Sequence, residues 1–171
     1  MTKAEQFTID RPSYADHPEF TPSMSPKAVL AAGVFDGGYF HGWGAEQLEG
    51  IDQDILDAGP YQEKPDARAH NAFGVHCGLG IDEWRRKGWI QDQDPVGWFQ
   101  WYARFHCGRR SEDDARQIAR WTDFARRWQP KTVEALERMN PQAKSRQALL
   151  HWAQDPYGPE RNLGLAIDTT A

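Results

Sequence analysis

Between Asp94 and Arg110 the chain places five aromatic rings and three arginines within seventeen residues. A guanidinium is planar, pairs two-pronged with a carboxylate or phosphate, and stacks on rings. Arg104, Arg109 and Arg110, close in sequence to Trp98, Trp101 and Tyr102, are therefore candidates for holding a flat anion: a nucleotide, a nucleic-acid strand or an aromatic acid. The same residues have a plainer use. Trp98, Trp101 and Phe105 can be core, and Arg109-Arg110 can offset the negative end of a helix.

Proton transfer has two candidates. Asp36 sits in the glycine-rich run Val34 to Gly44 between Phe35 and Tyr39, and a carboxylate framed by rings is partly desolvated, which raises its pKa toward that of a general base. Asp-Gly-Gly is equally a turn string. Tyr39 in the same run is a further ligand-facing ring. His106, beside the arginines, is suited to acid/base work near neutral pH. Cys77 and Cys107 are too few and too far apart for a disulfide scaffold, and as nucleophiles either would need a base and a thiolate-stabilising setting. His41, His70, His76 and His106 with the two cysteines show no Cys-x-x-Cys or helical His spacing, so neither a metal site nor a cofactor is expected. The dinucleotide fingerprint, the phosphate-binding loop and the nucleophile elbow are also missing from the sequence, which lowers the weight of the commonest enzyme classes.

Charge narrows the partners. Twenty basic against 25 acidic residues give a net charge of −5, which opposes general affinity for nucleic acid. Residues 104–128 nevertheless hold seven Arg against four acids, and residues 44–66 hold seven acids against one Lys. The two stretches can neutralise each other, or the basic one can face an anion. Mean hydropathy is −0.80, low for a folded chain, but eight Trp, eight Phe and five Tyr replace aliphatic mass. With no apolar run of membrane-spanning length and no basic-then-apolar leader, the expected setting is the cytoplasm, away from membranes.

These side chains need elements to position them. Residues 1–25, with Pro12, Pro18 and Pro22, are expected to form an extended arm, and residues 156–171 an irregular tail. Between them, residues 26–155 are predicted as one mostly α domain: a helical array with long loops and the glycine/aromatic segment packed across it. Ser25-Pro26 opens a helix over 27–32, and the spacing of Leu48, Ile51, Ile55 and Leu56 predicts one helix over 45–58. Another short helix is expected over 81–87. Asp94-Pro95 is expected to cap and open a helix to residue 107, with Trp98, Trp101, Tyr102 and Phe105 on one stripe. Ser111 and Asp114 form a capping-box variant for a helix to Trp128. Pro130 and Asn140-Pro141 open two more, to Met139 and to about Gln154.

The strings Gly33 to Phe40, Glu83 to Ile90, Asp94 to Arg110, Gln117 to Trp121 and Arg146 to Ala153, in that order, resemble a family of small cytosolic proteins from bacteria, fungi, algae and large DNA viruses. The resemblance spans about residues 25–155. It implies a single compact unit and no particular reaction. This chain departs from the family's tyrosine-rich ending of the aromatic run with Phe105-His106-Cys107. The expected function is an aromatic/arginine pocket for a planar anionic small molecule, with acid/base catalysis open. A nucleic-acid surface on the Arg/Trp helices and a protein–protein adaptor are the alternatives.

Overall fold

The computed structural model describes residues 2–35, 38–59 and 71–167. Among these the regular structure is helical: a 3-10 turn at Lys3–Gln6, then α1 (Pro26–Ala31), α2 (Ala45–Leu48), α3 (Gln53–Leu56), α4 (Ile81–Arg86), α5 (Trp98–His106), α6 (Asp114–Trp128), α7 (Val133–Met139), α8 (Ala143–His151) and α9 (Gly158–Asn162). No strand occurs among the described residues. The mostly α class expected from the sequence is what the chain adopts.

Capping chemistry sets several of these ends. Ser25 Oγ accepts from the Ala28 amide at 3.2 Å and Pro26 occupies the first turn of α1. Thr132 Oγ1 accepts from the Ala135 amide at 3.2 Å, so α7 begins later than Pro130. At its other end Asn140 takes the left-handed conformation (φ +45°) that halts a helix. Asp114 accepts from both the amide and the hydroxyl of Ser111, at 2.8 and 3.0 Å, which fixes the start of α6.

Three expectations are corrected. The predicted helix over 45–58 is two short helices, broken at Glu49-Gly50, where Gly50 has φ +77°. The break frees the carbonyls of Glu46, Gln47 and Glu49, and all three accept from the guanidinium of Arg104. Helix α5 starts at Trp98 rather than Pro95, with Gly97 at φ +110° before it, and Asp94 faces arginines instead of capping amides. The tail beyond residue 155 is not irregular throughout. Pro159 lies in the first turn of α9, and Glu160 is drawn inward by Arg146, whose Nη2 lies 2.6 Å from Glu160 Oε1 in a buried ion pair.

Helix α5 is the axis of the core. The sequence marks one apolar stripe, yet eight of its nine residues are buried, because the chain wraps it on every side. The N-terminal arm supplies much of that wrapping. Phe20, with no exposed surface, meets Trp101, Tyr102, Phe105 and Trp121 at ring-centre distances of 5.0–5.6 Å. Burying a side chain of this size contributes about 1.5–3 kcal/mol. Tyr102 Oη donates to the Met24 carbonyl at 2.7 Å, and the amides of Ser23 and Met24 share the Ala153 carbonyl, so the arm is bonded as well as packed.

Candidate functional site

The residues singled out by sequence fall mainly into the core. Arg104 donates to the carbonyls of Glu46, Gln47, Glu49 and Gln93 and to Asp94, which engages all five N–H groups. Arg109 forms a two-pronged pair with Asp94, at 2.7 and 2.5 Å. Arg110 pairs with Asp16 at 2.6 Å and lays its guanidinium 3.9 Å from the centre of the Phe105 ring. Trp101, fully buried, donates its indole N–H to Asp114 at 2.9 Å. Tyr102 is likewise buried, and burial holds its phenol well above the ordinary range.

His106 meets the hydroxyl of Tyr14 through Nδ1 at 2.8 Å. Burial pushes the Tyr14 phenol up to about 12, so it keeps its proton at pH 7, and its hydroxyl meets the Tyr102 hydroxyl at 3.5 Å as well as the His106 ring. Burial lowers the His106 pKa as well. Both thiols are shifted up by burial, away from the thiolate. Asp36 and His70 lie outside the described residues. Among the described residues no group of three or more His, Cys, Asp or Glu converges as a metal site would require, and no helix is long and apolar enough to cross a membrane.

Of the predicted residues that are described, Tyr39 and Trp98 line an open cavity. Its volume is about 290 Å³, and its walls are the rings of Phe35, Tyr39, Trp84, Trp89, Trp98, Phe99 and Trp152. The elements converge on it from four sides. Helix α4 contributes Trp84, the following loop Trp89, the start of α5 Trp98 and Phe99, and the end of α8 His151 with Trp152 beyond it. Tyr39 is pinned by donation to the Val96 carbonyl at 2.6 Å. Gly97 is required at the wall: a Cβ there would stand 3.1 Å from Tyr39 Oη and 3.2 Å from the Trp84 ring.

Three polar groups interrupt this apolar lining. Arg120, from α6, lies 5.8 Å from the Trp89 ring centre and 5.6 Å from that of Trp152. One of its Nη atoms donates to Gln117 at 2.8 Å and to the Trp89 carbonyl at 3.4 Å, and among the described residues Nε and the other Nη have no hydrogen-bond acceptor. Burial, then the neighbouring Arg116, lowers its pKa, but a guanidinium starting this high keeps its charge. His151 stacks on Phe35 at 4.9 Å, and burial drives its pKa down to about 4, so it is neutral at pH 7. Neither ring nitrogen has a hydrogen-bond partner among the described residues. The indole N–H of Trp98, 8% exposed as a residue, is buried without an acceptor.

Sequence reasoning missed Arg120 and His151. Neither is among the residues that the sequence singles out as candidates. A signal was present nonetheless: both sit in the short Arg-Trp and His-Trp strings at 120–121 and 151–152, each a polar group followed by an indole. Compared with protein families, with curated proteins and with solved structures, the chain gives no significant match to any of them.

Proposed function

We propose that the protein binds a planar, anionic small molecule of about one or two fused rings in the cavity between α4, α5, α6 and α8. One observation supports this reading above the others: a permanently charged, partly desolvated arginine, Arg120, faces a slot walled by aromatic rings. Rings flank a flat ligand by stacking, and a guanidinium in low dielectric favours a carboxylate far more than it would in water. The unpaired Trp98 N–H and the neutral His151 add a donor and an acceptor for a second polar substituent. With a pKa near 4, His151 is a weak base at pH 7, so binding is a better fit than proton abstraction.

No observation favours the nucleic-acid alternative, because Arg104, Arg109 and Arg110 are held by Asp94, Asp16 and backbone carbonyls. Exposed Leu79 and Trp89 at the cavity rim favour a second reading, in which a partner protein inserts an apolar side chain there. A tryptophan-fluorescence titration with 2-naphthoate and its neutral analogue 2-naphthalenemethanol decides between them. Small-molecule binding predicts saturable quenching by the acid, with the alcohol about tenfold weaker or worse. Arg120→Leu removes that preference and Arg120→Lys keeps part of it. Equal affinity for acid and alcohol would favour the protein partner, and no quenching by either would sink the small-molecule reading.

A further inference from the structure

A second depression lies beside Trp121, where the N-terminal arm meets α6 and the segment after α8. Its volume is about 400 Å³ and, unlike the ring-walled cavity, most of its lining residues are polar. Three cations border it: Arg11, Arg126 and Lys131. Arg126 is paired with Asp123, whereas neither Arg11 nor Lys131 has an ion-pair partner among the described residues. The acid on the lining, Asp155, is already satisfied, accepting from Arg161 at 2.6 Å and from the Tyr157 amide at 2.9 Å. Among the described residues the groove thus carries two positive charges without an ion-pair partner, on a chain whose net charge is −5.

Gln154 is the independent sign of a ligand. It lines the groove, is 2% exposed, and its Nε2 has no acceptor. Its orientation is set by other residues of the lining: Oε1 accepts from Gln129 Nε2 at 2.8 Å and from Ser23 Oγ at 3.4 Å, and Gln129 in turn accepts from Asn162 at 2.9 Å. A buried amide donor left unfilled costs about 1–3 kcal/mol, and an incoming oxygen would recover it. Trp121 and Ala125 supply an apolar wall beside these donors.

We propose that this groove is a second ligand site, which takes the dianionic phosphate of a small phosphate monoester between Arg11, Lys131 and the Gln154 amide. Two free cations match two negative charges, the amide donates to one phosphate oxygen, and the apolar wall receives the ester's carbon portion. A phosphodiester strand brings one charge per phosphate and needs a longer basic track than this groove offers.

Glycerol phosphate and inorganic phosphate, titrated separately with ionic strength held constant by chloride and followed by phosphorus NMR line width, test it. The monoester should bind saturably and at least as tightly as inorganic phosphate. The Arg11→Gln/Lys131→Gln double variant should bind about tenfold more weakly or worse, with thermal stability retained because both side chains are exposed. A control, Lys27→Gln/Lys87→Gln, removes the same charge elsewhere and should bind as the parent does. Gln154→Glu, which puts a carboxylate against the phosphate, should abolish binding. Equal loss in both double variants would reduce the effect to net charge and overturn the site. Absence of binding, or binding of inorganic phosphate alone, would overturn the monoester. Displacement of the monoester by a short single-stranded oligonucleotide with steep salt dependence would transfer the groove to nucleic acid.

Discussion

Asp94 is the residue on which the arginine cluster turns. It is 1% exposed and faces Arg104 and Arg109 together, so Asp94→Asn would leave two guanidinium groups short of their counter-charge. Breaking a buried pair from one side costs about 3–5 kcal/mol, and urea unfolding should show a loss of that order. His151 gives a pH signature. Its pKa falls from 6.5 unfolded to about 4 folded, so its neutral form stabilises the fold fully above pH 6.5. That stability is lost as pH drops toward 4, by about 2 kcal/mol once partial solvent access to the ring is allowed for. His151→Phe should flatten this part of the stability curve, and an unchanged slope would show that the imidazole is not desolvated. At this scale the sequence is a poor guide to pairing. It displays three arginines but not that Asp94, Asp16 and three carbonyls released by a helix break will meet them, because those partners lie up to 94 residues away.

Helices with strong periodicity were legible element by element. The stripe of α5 and the Ser111–Asp114 contact follow from spacing and capping alone and are present in the structure, although α6 itself begins only at Asp114. The segment 45–58 misleads because its apolar spacing is helical while three of its carbonyls are needed by a buried guanidinium, and those bonds outweigh a few helical ones. The candidate cavity was not legible, since its walls come from four elements and its polar groups from the start of α5, the middle of α6 and the end of α8. Gly97 is where element geometry and cavity meet. Gly97→Ala would strain a backbone at φ +110° and push a methyl against Tyr39 and Trp84. We expect a loss of about 2 kcal/mol or more, and weaker ring-acid binding in the fluorescence titration. Unchanged affinity would detach this wall from the ligand.

For the molecule as a whole, the arm is structural. A proline-bearing, polar segment gives few local signs of burial, and its rings become core only because α5 needs covering on a side that no helix reaches. Phe20→Ala should cost about 3–5 kcal/mol by chemical denaturation, as much as a central core truncation. A loss below about 1 kcal/mol would mean that the arm merely rests on the body.

The bonds between the arm and the far end of the chain also bear on how the protein is made. Ser23 and Met24 emerge from the ribosome long before Ala153, whose carbonyl they share. Phe20 must likewise wait for Trp101 and Trp121. Until then the nascent chain carries its arm rings in water, open to chaperones and to misplaced contacts. The core therefore cannot be fully closed before synthesis has passed residue 153, and protease protection of stalled nascent chains should reach its full level only beyond that length.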